Sequence, residues 1–488
     1  MERSSGVLLP VSALPGSYSI GSFGAEARGF VDFLCEAGFR FWQVLPFCVP
    51  DAYHSPYASY SSFSGNVFYI DLPTLREEGL ITKEELADAR QKTPYACEFE
   101  RLEQERYALL RRAAARVPAA ERGEIAAAMA ARPHVDAFCR FMALCRRNGG
   151  ARWTDFTELA PDPDELFFWQ FTQHRFLRQW NELHEYARSR GVRVLGDIPI
   201  YVSYDSADVW SNPELFCLDA RNRPTAVAGV PPDYFSETGQ LWGNPLYRWD
   251  VMAQDGFSWW RDRIAHMAEL FDGVRLDHFR GFASYYAVPA GAADAREGEW
   301  RSGPGMPLIR ALREAAPDTL LVAEDLGVQT PDVARLLEES GLPGMRVLQF
   351  AFPDHDGSIH LPHNYHKNSV VYTGTHDNNT MFGYLYEMEP QDRARLMEYC
   401  GLSPDRWMDS RNAILRTMLS SHADLAIFPV QDLLFFGRDT RLNTPGRADG
   451  NWAYRVTAEQ LHSIDAAYLR RQNELYGRIE AERAVRPH

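Results

Sequence analysis

The hydrophobic positions of this chain fall into short apolar runs separated by amphipathic stretches. None of these runs shows a clean alternation of apolar and polar side chains, which is typical of strands that are buried on both faces. We predict strands at Gly6–Pro10, Arg40–Pro46, Val192–Ile198, Gly273–Asp277, Leu320–Asp325, Met345–Phe350, Ser369–Thr373 and Asp424–Val430.

Helical patterns lie between many of the predicted strands, for example at 25–37, 331–339 and 391–400. Alternation of strands and helices indicates a parallel sheet with crossover helices. Eight such strands predict a closed (β/α)₈ TIM barrel, with residues 1–488 forming one catalytic unit. The alternative is an open doubly wound sheet, but no Gly-x-Gly-x-x-Gly motif follows the first run.

The uneven spacing of the runs predicts two insertions in the barrel loops. Residues 73–190, between strands 2 and 3, contain a charged, alanine-rich stretch and are expected to be mainly helical. Residues 203–255, between strands 3 and 4, are rich in Pro, Asn, Trp and Tyr and are expected to form a long loop that covers the substrate. Long loops in compact domains are usually functional.

Composition narrows the class of protein. The 488 residues include 66 acidic and 51 basic side chains, a net charge of −15, which argues against nucleic-acid and anionic-membrane partners. Seven cysteines without a Cys-x-x-Cys pair predict neither a disulfide framework nor a zinc ribbon. The first apolar run stops at Pro10, too early for a signal peptide, and no stretch has the length of a membrane helix. A cytoplasmic location is therefore expected.

Acidic residues end several predicted strands: Asp197, Asp277, Glu324 with Asp325, and Asp377 shortly after the seventh strand. In a (β/α)₈ barrel the carboxyl ends of the strands converge on one mouth. A single aspartate at a strand end is equally well explained as a helix cap. Four carboxylate-bearing ends together favour a catalytic site.

Paired carboxylates of this kind suit the chemistry of a glycosidic bond. One carboxylic acid protonates the leaving oxygen, while the other carboxylate faces the anomeric carbon and can attack it. Arg275, two residues before Asp277, shares a strand face with it and can keep it ionised. Glu324 would be the acid, so we expect burial and neighbouring carboxylates to raise its pKa.

The aromatic content supports a sugar ligand. The chain has 12 Trp, 22 Tyr and 28 Phe, concentrated around residues 51–69 and 234–249. Flat sugar faces stack on such rings, although each ring taken alone is equally well explained as part of a loop core. Trp242 is the strongest candidate, because the glycines and proline of Gly239–Pro245 indicate a shaped, exposed loop.

Several motifs in this order resemble amylomaltase, the bacterial 4-α-glucanotransferase or disproportionating enzyme of the α-amylase clan. The matching segments are Ser55–Tyr57, Phe63–Asn66, Gly196–Val202, Gly239–Pro245, Arg275–Gly281, Ala323–Gly327, Gly374–Asn378 and Leu442–Gly446. The runs Asp-His-Phe-Arg-Gly and Thr-His-Asp-Asn are specific in combination, and the matches span nearly the whole chain.

The resemblance implies roles for individual residues. Asp277 would be the nucleophile, Glu324 the acid/base and Asp377 the stabiliser of the transition state. The residues expected to contact glucan are Arg275, His376, Asp197, Tyr57, Ser55, Gln240, Trp242, Asn443, Tyr53 and Phe235. The family uses neither metal nor organic cofactor, so we expect none here, with maltooligosaccharides or other α-1,4-glucans as substrates.

The resemblance also implies the activity, which is transfer of a 1,4-α-glucan segment to the 4-hydroxyl of an acceptor through a covalent glycosyl-aspartate. One alternative is a retaining α-glucan hydrolase of the same clan, and a more remote one is a non-catalytic glucan-binding barrel. A third is a metal-dependent barrel enzyme using His355, His360, His363 and His366, but their spacing gives no helical i, i+4 pair. Protein partners and oligomeric state are left open.

Overall fold

Twelve strands run through the described part of the structure, a computed structural model that describes residues 1–232, 237–327, 329–353, 358–447 and 449–480. In chain order they are β1 Ser4–Leu8, β2 Phe41–Gln43, β3 Arg193–Ile198, β4 Ala226–Val230, β5 Gln240–Pro245, β6 Gly273–Leu276, β7 Ser284–Pro289, β8 Glu299–Ser302, β9 Leu320–Ala323, β10 Gly344–Val347, β11 Ser369–Tyr372 and β12 Leu425–Pro429.

Eight of these strands close into a barrel in the order β1, β2, β3, β6, β9, β10, β11 and β12. All neighbouring pairs are parallel, and β12 returns to pair with β1 from Ser4↔Leu425 to Leu8↔Pro429. Each of the eight predicted runs contains one barrel strand or overlaps it. The (β/α)₈ prediction is therefore confirmed, and closure between β1 and β12 rules out the open sheet.

Successive residues of each barrel strand lie on opposite sides of the wall. Leu195, Val322 and Val370 belong to the cluster that fills the barrel interior, while their neighbours Val194 and Leu321 pack outward against the helices. Both sides of the strands are thus buried and apolar. This is why the runs lack an alternating pattern in the sequence.

Helices surround the barrel. Outside residues 73–190 the α-helices are Ala25–Glu36, Ala207–Ser211, Trp249–Gln254, Ser258–Leu270, Met306–Ala315, Pro331–Ser340, Met381–Glu387, Pro390–Tyr399, Arg411–Ser420, Val430–Leu434, Ala458–His462 and Ala466–Leu475. The 3₁₀ turns are Val11–Ala13, Val67–Tyr69, Trp153–Asp155, Pro213–Leu215, Phe279–Phe282, Leu348–Phe350, Pro362–Asn364, Pro404–Asp409 and Arg438–Thr440. Among the described helices, none combines the length and apolar content that crossing a bilayer requires.

The chain between β2 and β3 is mainly helical. Its helices are Leu72–Glu77, Lys83–Asp88, Phe99–Arg101 continuing through a π-helical turn Leu102–Arg106, Tyr107–Ala115, Ala119–Ala130, Pro133–Arg147 and Pro163–Ser189. The division of the chain at 73 and 190 stays a prediction.

The longest of these helices, Pro163–Ser189, ties the insertion to the barrel loops. The side chain of Asp162 caps its first turn by accepting from two backbone N–H groups. Gln173 accepts from the N–H of Gly65 at 2.6 Å and donates to the carbonyl of the same residue at 3.0 Å. A Cβ at Gly65 would lie 2.2 Å from the ring of Phe176, so only glycine allows this approach. The helix thereby fixes the chain that follows the loop at 51–60.

The structure differs from the expected long loop over 203–255. Two strands of a second, antiparallel sheet, β4 and β5, form there, and the sheet order is β5, β4, β7, β8. The pairing that builds it joins Ala228 to Ala287, residues far apart in the chain. Local pattern cannot reveal such a partner, because cross-strand packing decides whether a segment becomes a strand. That this segment covers substrate stays a prediction.

Candidate active site

Carboxylates from three adjacent barrel strands lie at one end of the barrel. Asp197 is in β3, Asp277 directly follows β6 and Glu324 directly follows β9, and these strands neighbour one another. Each carboxylate is two residues beyond an inward-facing position, so all three face the interior at the carboxyl mouth. Asp325, the next residue, points to the other side of the barrel wall. It accepts from the N–H of Met345 at 2.7 Å and belongs to the wall, not the mouth.

Arg275 is buried beneath the mouth and joins two of these carboxylates. Its Nη1 donates to both oxygens of Asp197, at 2.9 and 2.8 Å, and lies 2.9 Å from Oδ1 of Asp277. Burial raises the pKa of Asp197, although the guanidinium opposes the shift. Asp277 keeps 27% of its side chain exposed, so it is held by the arginine yet open to the cleft.

Glu324 is fixed by two backbone donors. Its Oε2 accepts from the N–H of His278 at 2.8 Å, and its Oε1 accepts from the N–H of Leu326 at 2.8 Å. His278 is in the left-handed region (φ 50°), the turn that directs its N–H toward Glu324. Burial raises the pKa of Glu324 to about 8 and the charge of Asp277 adds to the shift, while Arg275 and the two N–H groups oppose it. The carboxyl is therefore protonated at neutral pH, as expected from the sequence.

Asp377 lies in the loop after β11, and its side chain is 45% exposed. Asn443 Nδ2 donates to its Oδ1 at 2.6 Å, and His376 Nε2 lies 3.2 Å from its Oδ2. Burial acts to raise the pKa of Asp377, but attraction to the His376 ring and the hydrogen bonds from His376 and Asn443 lower it below the usual range. Asp377 is therefore an anion beside the cleft.

A wall of stacked rings adjoins these carboxylates. Tyr57 stacks on His376 with centroids 5.0 Å apart, and its hydroxyl donates to Oδ2 of Asp197 at 2.7 Å. Trp452 extends the wall at 5.9 Å from Tyr57. Ser55 Oγ accepts from the N–H of Tyr57 at 3.3 Å and so shapes the turn that carries this tyrosine. Tyr53 stands at the surface with 62% exposure.

The second sheet contributes to the site through β5, which lies beside His278. Gln240 and Trp242 both lie on this strand, where the indole N–H donates to Oε1 of Gln240 at 3.1 Å. The Trp242 ring is 37% exposed and meets the His278 ring edge-on at 4.9 Å. Phe235, also expected to contact glucan, lies outside the described residues.

The sequence alone assigned no function to two residues at this site, His278 and Trp452. His278 stands inside the matched run Arg275–Gly281, and the spacing to Glu324 gives no hint of its backbone contact. Trp452 follows a Gly-Asn pair shortly after Asn443, a turn signal that could have drawn attention to it. Both become visible only when distant loops meet at the mouth.

The histidine-rich segment does not assemble a metal site in the part that is described. The ring of His360 accepts from the N–H of Val347 at 3.1 Å, and His363 lies 3.0 Å from the hydroxyl of Tyr399. His355 lies outside the described residues. Among the described His, Cys, Asp and Glu side chains, no three are grouped as a metal ion would require.

Comparison with known proteins decides the family. A sequence model described as 4-alpha-glucanotransferase matches residues 9–461 of this chain. The chain belongs to the 4-alpha-glucanotransferase family. The 4-alpha-glucanotransferase of Thermus thermophilus is 42% identical, covering 98% of this chain and all of the relative. That of Aquifex aeolicus is 40% identical, over 98% of this chain and 99% of its own length.

Solved structures agree with this assignment. Amylomaltase from Streptococcus agalactiae, in complex with acarbose, superposes with a TM-score of 0.93 at 35% identity, covering 98% of this chain and 99% of that chain. Amylomaltase from Corynebacterium glutamicum, at 18% identity and a TM-score of 0.81, shares the fold over 98% of this chain and 75% of its own. The predicted resemblance is confirmed, and this enzyme is a 4-alpha-glucanotransferase that acts on alpha-glucans.

Proposed function

We propose that this 4-alpha-glucanotransferase works by a retaining double displacement, with Asp277 as nucleophile, Glu324 as acid/base and Asp377 as stabiliser. The observation that carries the proposal is the arrangement at the mouth, where Asp277 contacts the guanidinium of Arg275 and the neighbouring strand leads to Glu324, whose pKa burial raises to about 8. Two carboxyl groups in different protonation states are what a retaining mechanism needs.

In the first step Asp277 attacks the anomeric carbon of the donor glucan. Its Oδ1 is engaged by Arg275, which leaves Oδ2 to form the new C–O bond. The bond from the anomeric carbon to the leaving O4 breaks, and the proton of Glu324 passes to that oxygen. Asp377, whose lowered pKa keeps it charged, faces the positive charge that develops on the sugar.

In the second step an acceptor 4-hydroxyl attacks the anomeric carbon and releases Asp277. Its proton passes to Glu324, which is by then a carboxylate held by the N–H groups of His278 and Leu326. While Asp277 is esterified it carries no charge, so one cause of the raised pKa of Glu324 is removed. The glutamate can therefore serve as acid in one step and as base in the next.

Glucan binding is proposed along the two walls of the cleft. The rings of Tyr57, His376 and Trp452 offer a stacking surface beside Asp197, and Trp242 with Gln240 offers another on the side of β5. Positioning an acceptor sugar there would let it outcompete water, since held reactants gain up to about 7–11 kcal/mol over free ones. Ser55, Tyr53, Asn443 and Phe235 remain proposed contacts.

Trapping of the intermediate tests the mechanism. With α-maltotriosyl fluoride, whose leaving group needs no acid, we expect Glu324→Gln to accumulate enzyme heavier by one maltotriosyl group, mapped to Asp277 by peptide mass spectrometry. Asp277→Asn is the matched control and should stay unmodified. Label on another residue would overturn the assignment. Because an amide nitrogen cannot accept from a backbone N–H, melting curves of the Gln variant must accompany the assay.

Product analysis tests transfer against hydrolysis. Incubation with maltotriose should give glucose together with chains longer than maltotriose. Maltose and glucose without longer products would favour the hydrolase alternative. We propose that neither metal nor organic cofactor takes part, so turnover should survive EDTA, and a loss that added metal restores would contradict this.

A further inference from the structure

A buried carboxylate lies beneath the loop that carries His376 and Asp377. This residue, Asp432, belongs to the short helix Val430–Leu434 that begins where β12 ends. The barrel strand next to β12 is β11, which ends at Tyr372. The chain then passes through Thr373 and the loop 374–380 into the helix Met381–Glu387. Asp432 is 2% exposed, so neither solvent nor a sugar in the cleft reaches it.

The two oxygens of Asp432 contact the two ends of this loop. Thr373 Oγ1, immediately before the loop, donates to Oδ2 at 2.5 Å. The N–H of Met381, immediately after the loop, donates to Oδ1 at 2.7 Å. Burial raises the pKa of Asp432 to about 6, against these two hydrogen bonds. A carboxylate buried in this way costs stability unless its bonds are kept.

We propose that Asp432 is a positioning residue for the transfer reaction, which fixes both ends of the loop 374–380 and thereby the place of Asp377 and His376. The inference rests on the proposed role of Asp377. Gln349 Nε2 also supports the loop, through the carbonyl of Asn379 at 2.7 Å. Asp432 differs from Gln349 because it joins the start of the loop to its end, and so sets the span that the loop must bridge.

The effect on catalysis follows from geometry. Asp377 meets the sugar only if the loop presents it at the right depth, and misplacement of a catalytic group by about 1 Å can cost about a hundredfold in rate. Ground-state binding draws on both aromatic walls and depends less on one loop. Loss of Asp432 should therefore lower kcat more than it changes KM.

Five variants assayed with maltotriose test the proposal. Asp432→Ala removes both contacts, and we expect kcat to fall about 10- to 100-fold with KM within about threefold of the wild type. Asp432→Asn should retain kcat within about threefold, because its Oδ1 can still accept from Met381 while its amide donates to Thr373. Thr373→Val frees only the start of the loop and should fall between them. Asp377→Ala combined with Asp432→Ala should lose much less kcat than the product of the two single losses, since Asp432 acts largely through Asp377.

Asp272 supplies the matched control. It too is a largely buried carboxylate that accepts from a backbone N–H, that of Val194 at 2.8 Å, but it lies at the opposite end of the barrel, before β6. We expect Asp272→Ala to lower the melting temperature and to leave kcat unchanged. If Asp432→Ala loses stability but keeps kcat like this control, the positioning role is wrong.

The remaining outcomes separate this inference from the proposed mechanism. If the kcat loss of the double variant equals the product of the Asp377→Ala and Asp432→Ala losses, the inference is wrong, while the proposed mechanism is unaffected. Wild-type kcat in Asp377→Ala would overturn the role of Asp377 itself. Should Asp432→Ala fail to fold, Thr373→Val still decides, because a well-folded Thr373→Val variant with unchanged kcat contradicts the inference.

Discussion

At the scale of single residues, Arg275 organises the mouth of the barrel. Its guanidinium bonds to Asp197 and lies 2.9 Å from Asp277, so two carboxyl groups share one cation. Glu324 is held by two backbone N–H groups instead, and burial raises its pKa to about 8. The sequence placed these residue types at strand ends, whereas their burial and their contacts with Arg275 and with backbone donors come from the tertiary structure.

The raised pKa of Glu324 predicts the basic side of the pH profile. The acid must be protonated to donate, and a pKa of about 8 keeps it so through neutral pH. Activity is thus fully present below this value and is lost as pH rises through it, by about tenfold per pH unit. Initial rates at low maltotriose concentration between neutral pH and pH 10 measure this limb. A profile that stays flat to pH 10 would contradict the assignment of Glu324 as acid.

The contact between Asn443 and Asp377 predicts that two substitutions at Asn443 lower kcat to different extents. Its amide donates to Oδ1 of Asp377 at 2.6 Å and helps to lower the pKa of that carboxyl. Asn443→Ala removes the bond, so the acidic limb of the profile should move to higher pH and kcat should fall. Asn443→Asp adds a like charge at the same place and should be worse than alanine. Equal activity in the two variants would mean that the contact is not used in catalysis.

At the scale of elements, the helix Pro163–Ser189 supports the loop at 51–60, which is proposed to bind glucan. Gln173 and Gln179 each accept from a backbone N–H of the segment that follows this loop, at Gly65 and Asp71. The β5 strand carries Trp242 and Gln240 and pairs with β4. In turn, β4 pairs with β7, which comes later in the chain, after the barrel strand β6. Loops become precise where a regular element satisfies their backbone groups.

Replacing Gln173 tests this support. Gln173→Leu leaves the buried N–H and carbonyl of Gly65 without their partner, which should cost about 2–4 kcal/mol in the free energy of unfolding. Urea denaturation measures the loss. Glu182→Gln on the same helix is the control, because its half-exposed pair with Arg178 should contribute less than about 0.5 kcal/mol. A Gln173→Leu cost as small as the control would contradict the supporting role.

At the scale of the whole molecule, the barrel closes where its first strand, β1, pairs with its last, β12. The buried Arg478 donates to the carbonyls of Ser4 at 2.6 Å and of Leu419 at 2.9 Å, and so bridges β1 and the helix before β12. Arg3 also donates to the carbonyls of Leu419 and Ser421, at 2.9 and 2.8 Å. We call this junction between β1 and β12 the seam. The proposed active site lies at the opposite end of the barrel, where β3, β6 and β9 end.

Substitution of Arg478 should therefore lower stability without changing activity. Arg478→Met removes the buried hydrogen bonds of this guanidinium to the carbonyls of Ser4, Leu419 and Ala423, and should lower the free energy of unfolding by about 2–4 kcal/mol. At a temperature where the variant is folded, its kcat on maltotriose should equal that of the wild type. Thermal denaturation and assays at low temperature check the two parts. Lost kcat in fully folded protein would show that the seam and the mouth are coupled.

The sequence by itself determined the barrel, because eight short apolar runs separated by helical stretches indicate strands buried on both faces, and each run overlaps an observed strand. It also determined which acidic residues end those strands, and with the matched motifs it predicted the family. What only the tertiary structure decided are long-range matters: the second sheet formed by β4 and β7, the contact between His278 and Glu324, and the hold of Asp432 on the loop 374–380. The physical reason is that apolar periodicity is a local property, whereas pairing partners, backbone donors and shared charges come from segments far apart in the chain.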